Sequence, residues 1–185
     1  GMVKSAYSTG KPALGVGPGN TPAYITKDAK IKRAVNDLFL SKTFDNGMIC
    51  ASEQAIIVDN EVYNDVKAEF LAHNAYIVSS KAELAKLQAA VMLPDGHAVN
   101  PKIVGFSAKY IAELAGIKVP EETKLLIAEI AGVGVDFPLS REKLSPVLAM
   151  VKANSTEEGL DLCEAMLDLG GLGHTAVIHT EDEDL

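Results

Sequence analysis

Apolar positions along this chain fall into short continuous runs, separated by stretches with helical spacing. Residues 23–25, 55–58, 75–78, 125–130, 147–151 and 175–178 are such runs, mostly apolar on both faces, and they predict buried strands. Residues 13–16 read the same way, as a strand or strand end inside a Gly- and Pro-rich opening, and Ile103-Val104 reads as a further short strand. Between the runs, Ile31, Ala34, Val35, Leu38 and Phe39 recur at i, i+3, i+4, i+7 and i+8, one face of a helix with Asp28 as its N-cap. Asp59-Asn60 caps a helix with Val62, Tyr63, Val66 and Phe70 inward. Ser80-Lys81-Ala82-Glu83 and Ser155-Thr156-Glu157-Glu158 are capping boxes. The first opens a helix that carries Leu84, Leu87 and Val91 inward and stops before Pro94. The second opens one with Leu160, Cys163 and Leu167 on one face, ending at Gly170-Gly171. Ser107 caps a helix through Ile111 and Leu114 that ends at Gly116. Strands that alternate with helices and are apolar on both faces imply an α/β fold, a mostly parallel sheet flanked by helices in three layers.

Composition narrows the class of partner. The 185 residues are 48% hydrophobic and 23% charged, which suits one globular domain and not a disordered chain. No apolar run approaches the ~20 residues of a membrane span, and the first residues lack a signal-peptide pattern. Seventeen Lys+Arg against 25 Asp+Glu give a net charge of −8, which argues against nucleic acid and anionic lipid. Part of that charge is the run Glu181-Asp182-Glu183-Asp184, read as a solvated edge. Two cysteines make no disulfide framework, so a reducing cytoplasm is expected and the sequon at Asn154 is taken as irrelevant. The opening Gly-Met and the acidic stop suggest an excerpt from a longer protein.

The richest stretch for chemistry is Phe44-Asp45-Asn46-Gly47-Met48-Ile49-Cys50-Ala51, between a helix and a strand, where site residues of open α/β sheets gather. Gly47 permits a tight turn that presents Cys50 beside backbone amides. Those dipoles favour the thiolate and can hold an oxyanion. Free cysteine is also among the most buried residue types, so the residues alone leave a structural reading open. Cys163, on an apolar helix face, reads as core. His174 lies in a glycine-rich turn before a strand, where an imidazole can move a proton or merely satisfy the backbone. Glu142, in Ser140-Arg141-Glu142-Lys143, reads by itself as a surface residue. His73, His97 and His179 show no ligand grouping with the cysteines, and no metal is assigned. Gly15, Gly17 and Gly19 are not spaced as G-x-G-x-x-G, and Pro18 and Pro22 interrupt them, so a phosphate loop is rejected.

Four segments carry a resemblance that covers essentially the whole chain. Residues 42–54, Lys-Thr-Phe-Asp-Asn-Gly-Met-Ile-Cys-Ala-Ser-Glu-Gln, resemble the nucleophile segment of CoA-acylating aldehyde dehydrogenases. More narrowly they resemble the aldehyde dehydrogenase half of bifunctional aldehyde–alcohol dehydrogenases. Residues 11–22 match the stretch before the nucleophile, Glu142-Lys143-Leu144-Ser145-Pro146 matches a later Glu-x-x-x-Pro signature, and Gly171-Leu172-Gly173-His174-Thr175 matches a final glycine–histidine turn. The resemblance implies Cys50 as nucleophile, Glu142 as acceptor for the nicotinamide ribose hydroxyls, and NAD with coenzyme A as cofactor and co-substrate. Where hydrolytic members carry a glutamate before Leu-Gly-Gly-Lys, this chain has Gly15-Val16-Gly17-Pro18-Gly19, with no carboxylate to activate water. That departure favours thioester transfer to a thiol.

The expectation is therefore a single catalytic domain, residues 1–185, of an acetaldehyde dehydrogenase (acetylating). The nucleotide-binding domain would precede residue 1 and the fold would continue past Leu185. The parent would carry an iron-dependent alcohol dehydrogenase half and form a homo-oligomer or filament. The rivals are an acylating dehydrogenase for propionaldehyde or longer aldehydes, and a non-catalytic α/β assembly module with Cys50 buried.

Overall fold

A computed structural model describes residues 2–15 and 19–185, without the side chains of residues 2 and 3. The elements in chain order are α1 (Met2–Ser8), β1 (Pro22–Ile25), α2 (Ile31–Thr43), β2 (Ala55–Asp59), α3 (Tyr63–Ala72), β3 (Ala75–Val78), α4 (Lys81–Val91), α5 (Ala108–Ala115), β4 (Leu125–Glu129), β5 (Val147–Ala153), α6 (Thr156–Gly170) and β6 (Val177–His179). The strands form one sheet in the order β3-β4-β5-β2-β1-β6, and every pairing is parallel.

The period-2 alternation of the strands divides the core. Ile56, Val58, Leu148 and Met150 face one side, where Val35 and Leu38 of α2 and Val66 and Phe70 of α3 cover them. Ala55, Ile57, Ala149 and Val151 face the other, under Cys163 and Met166 of α6. On that same side Leu126, Ala128 and Val147 lie beneath Leu87 of α4 and Ile111 of α5. These are the three layers the apolar runs predict, and β2, with both faces covered, has no exposed residue.

The serine caps form as read: Ser80, Ser107 and Ser155 accept from the backbone N–H of Glu83, Tyr110 and Glu158. The reciprocal half of each box differs, because Glu83 accepts the Ser80 hydroxyl and Glu158 accepts Asn154 N–H. Neither aspartate caps a helix. Asp28 accepts the Thr26 hydroxyl and Glu181 N–H, tying the end of β1 to the segment after β6. Asp59 accepts the buried Tyr24 hydroxyl at 2.6 Å and Lys27 N–H at 2.8 Å. Long-range partners outcompete the local amides at both positions. Residues 103–104 are not a strand, because Pro101–Ile103 winds into a single 3-10 turn opened by the Asn100 side chain. Residues 13–15 are irregular, with Leu14 fully exposed, and Val16 lies outside the described residues.

Candidate active site

Strand register brings four separate segments to one place. Pro22 pairs with Ala55 and Ala23 with Val177, so the residues before β1 meet those before β2 on one side and before β6 on the other. Ala55 pairs with Ala149, which adds the residues before β5. Gly19, Cys50, Glu142 and His174 thus all arrive at the amino ends of β1, β2, β5 and β6, neighbours in the sheet. Open α/β sheets commonly bind ligands outside the carboxyl ends of their strands. The candidate site here lies at the opposite edge, in the loops that enter the strands from the preceding helices and turns.

The cysteine is presented by an unusual turn. After α2, Asp45 (φ 47°, ψ 38°), Asn46 (φ 49°, ψ 35°) and Gly47 (φ 70°) are three consecutive residues in the left-handed region. That conformation costs an L-residue roughly 1–2 kcal/mol, least for Asp and Asn, whose side chains bond locally. Asn46 Nδ2 donates to the Gly105 carbonyl at 2.9 Å and anchors the turn. Gly47 is required twice over: its φ is positive, and a Cβ there would lie 2.6 Å from the Ser145 carbonyl oxygen. Beyond it Ser52 N–H donates to the Ile49 carbonyl at 2.9 Å, leaving Cys50 exposed at the crest. The Cys50 N–H has no partner among the described residues and is free to donate to a ligand. Cys163, by contrast, is buried under α6, and burial pushes its thiol up to about 12.

Gly19 joins the Cys50 turn to the histidine. A Cβ there would run into the Cys50 carbonyl oxygen and lie 3.1 Å from Cε1 and 3.2 Å from Nε2 of His174. The imidazole therefore sits beside the backbone of Cys50, and its Nδ1 is buried without a partner among the described residues. Glu142 borders a cavity of about 200 Å³ together with Gly19, Asn20 and Arg141. Burial raises the pKa of its carboxyl group, while the nearby charges of His174, Lys42 and Lys143 pull it back down. A half-buried carboxylate at a cavity bordered by a Cβ-free residue fits a sugar whose hydroxyl groups must donate to it at close range. The segment read as lacking a hydrolytic base falls partly outside the described residues. Among them, Gly15 is exposed.

What sequence reasoning missed is the support beneath these residues. Lys42 and Lys143 have no exposed surface, although each looks like an ordinary surface lysine. Taking an ammonium out of water costs several kcal/mol, so each needs dedicated acceptors. Lys143 Nζ donates to the carbonyls of Gln54 (2.8 Å), Leu139 (2.8 Å) and Arg141 (2.7 Å), which matches its three protons. Lys42 Nζ donates to Gln54 Oε1 at 3.1 Å, and burial brings its pKa down to about 7 against the pull of Glu53 and Glu142. The available signal was position: both lysines lie inside the motifs that carry Cys50 and Glu142.

Comparison with known proteins identifies relatives of the chain as a whole. The profile of the Aldehyde dehydrogenase family matches residues 2–92. The aldehyde-alcohol dehydrogenase of Clostridium acetobutylicum is 54% identical over 98% of this chain, which spans 21% of that protein's length. An acetylating aldehyde dehydrogenase from Geobacillus thermoglucosidasius superposes with a TM-score of 0.92 at 48% identity, over 99% of this chain and 40% of the other. A Rhodopseudomonas palustris propionaldehyde dehydrogenase, solved with bound CoA and an acylated cysteine, superposes with a TM-score of 0.86 at 29% identity, over 99% of this chain and 40% of the other. The chain covers only a part of each relative, but that part includes nearly all of its own length, and it belongs to the aldehyde dehydrogenase family.

Proposed function

We propose that this chain is the nucleophile-bearing catalytic domain of an NAD-linked acylating aldehyde dehydrogenase, interconverting acetaldehyde plus CoA with acetyl-CoA. The observation that carries the reading is the convergence of exposed Cys50 and His174 across Gly19 at one edge of the sheet, with Glu142 on the same cavity. In this reading the parent protein is longer. A nucleotide-binding domain precedes this segment, and an iron-dependent alcohol dehydrogenase half is part of the same polypeptide. The parent works in the cytoplasm as a homo-oligomer or filament.

The thiolate Sγ of Cys50 attacks the aldehyde carbonyl carbon, and the resulting oxyanion takes a hydrogen bond from the free Cys50 N–H. NAD, when bound, supplies the hydride acceptor, and Glu142 is the residue that would hold its ribose hydroxyls. The acyl group is left as a thioester on Cys50. The CoA thiol attacks that carbonyl, its proton passes to the His174 imidazole, and the Cys50 thiolate leaves. Acyl-CoA reduction runs the same steps in reverse.

Alkylation tests the nucleophile assignment. At pH 8 a thiol held near pKa 12 is about 10⁻⁴ ionised, so Cys163 is nearly inert. Iodoacetamide is expected to label Cys50 at least about 100-fold faster than Cys163 in the folded, full-length protein. Equal, slow labelling would favour the assembly-module reading. The similarity to a propionaldehyde dehydrogenase keeps a longer aldehyde as the second reading. Steady-state rates with acetyl-, propionyl- and butyryl-CoA decide between them, and acetyl-CoA is expected to give the highest kcat/KM.

Glu142 makes cofactor binding pH-dependent with a definite sign. Ionised, its two oxygens both accept strongly, whereas protonation turns one into a donor and weakens the other, and burial holds its pKa above the ordinary 4.5. NADH affinity is therefore full above that raised pKa and falls as pH drops through it. Fluorescence titration across the acid range is expected to show the limb above pH 4.5, and to show it flattened in Glu142→Gln.

A further inference from the structure

The fully buried side chain of Gln54 bonds to both sides of the Cys50 turn and to the segment that carries Glu142. Its Nε2 donates to the Ser52 carbonyl at 2.9 Å, two residues after Cys50. Its Oε1 accepts from Lys42 Nζ at 3.1 Å, on the last turn of the helix that leads into the same loop. That Oε1 also accepts from Lys143 N–H at 3.0 Å, the amide that follows Glu142. The backbone repeats the pattern. Gln54 N–H donates to the Thr21 carbonyl at 2.8 Å, and its carbonyl accepts from Ala149 N–H at 3.0 Å and Lys143 Nζ at 2.8 Å. One amide thus closes the entry and exit of the Cys50 turn and pins the Glu142 segment to it.

We infer that Gln54 is a positioning residue which, through Lys42, Ser52 and Lys143, sets the nucleophile turn and the cofactor-binding glutamate at a fixed spacing. The inference rests on the proposed roles of Cys50 and Glu142. Its chemical logic is the amide's double character. The donor end serves only the nucleophile side, while the acceptor end serves both sides. Glutamate keeps the acceptor and turns the donor into an oxygen that repels the Ser52 carbonyl. Methionine has a similar reach and provides neither.

The test uses the full-length enzyme with two readouts that do not depend on turnover: the iodoacetamide rate at Cys50 and the Kd for NADH from fluorescence titration. Gln54→Glu is expected to slow alkylation about tenfold and leave the Kd within about twofold, the scale of one lost hydrogen bond. Lys42→Met, which opens the entry to the turn but leaves Lys143 N–H bonded, is expected to do the same. Gln54→Met is expected to slow alkylation similarly and also to weaken NADH binding about tenfold. Thermal melts identify any variant that does not fold, and the conservative Gln54→Glu and Lys42→Met pair still decides the matter if Gln54→Met does not. The inference is overturned if that pair changes both readouts by the same factor, as general loosening would, or changes neither. It is also overturned if folded Gln54→Met leaves the Kd unchanged. Failure of the reaction assignment would look different: acyl-CoA reduction would survive in Cys50→Ala.

Discussion

Replacing Cys50 by alanine is expected to abolish acyl-CoA reduction in the full-length enzyme, by at least about 10³-fold, while the Kd for NADH stays within about twofold. The size of the effect follows from covalent catalysis, in which no acyl intermediate forms without the sulfur. The specificity of the loss follows from the structure. Cys50 is exposed at the crest of its turn, so truncating it opens no cavity, and stability should change by no more than ~0.5 kcal/mol. The turn is held by Asn46 on Gly105, by Gly47 against Ser145 and by Gln54 on Ser52, none of which involves Sγ. Glu142 is likewise held from Lys143, on the other side of Gln54. No second thiol of this chain can substitute, since Cys163 is buried beneath α6. Steady-state rates with acetyl-CoA and NADH check the first expectation, and fluorescence titration checks the second. Appreciable reduction by the variant would remove Cys50 from the mechanism.

The layers of this fold are legible in the sequence because each strand is an apolar run between helices with their own stop signals. Residues 55–58, short, apolar and β-branched, read as a buried strand and form one, and Gly116 ends α5 in the left-handed conformation its type suggests. Cys163 is legible as core from the helical face it shares with Leu160, whereas the Gly-containing turn before Cys50 leaves a buried reading open until the resemblance is weighed. Strand order is less legible. After β2 the chain crosses to the far edge at β3, returns through β4 to β5 beside β2, and then crosses again to β6. Local pattern does not encode such jumps, so it could not show which of the loops that enter the strands become neighbours. Asp28 and Asp59 misled for a related reason. An aspartate before a helix reads as a cap, yet both found partners far away in the chain. The buried lysines were hidden most deeply. Charge normally signals exposure, and only the three carbonyls around Lys143 reveal why this one is inside.

Gly19→Ala is expected to cost as much activity as a change can without touching a reacting atom. The backbone of Gly19 is not in the left-handed region, so alanine brings no conformational strain of its own. The cost is entirely one of space. The new methyl would clash with the Cys50 carbonyl oxygen and press on His174, whose ring atoms stand 3.1 and 3.2 Å from it. Backbone is the less compliant neighbour, and Asn46, Gly47 and Gln54 fix the turn from its other sides, so Cys50 cannot retreat alone. Either the turn shifts as a body, carrying Sγ with it, or the segment before β1 lifts and parts Cys50 from the imidazole. Misplacement of about 1 Å at a reacting centre is worth about 10²-fold in rate, and kcat with acetyl-CoA should fall by that factor. The Tm should fall by only a few degrees, because the strands begin beyond the clash and β1 keeps its pairing with β2 and β6. Gly19→Ser should behave like alanine, since the Cβ is what collides. A normal kcat in either variant would mean that Cys50 and His174 tolerate separation, and His174 would then lose its assignment as the acceptor of the CoA thiol proton.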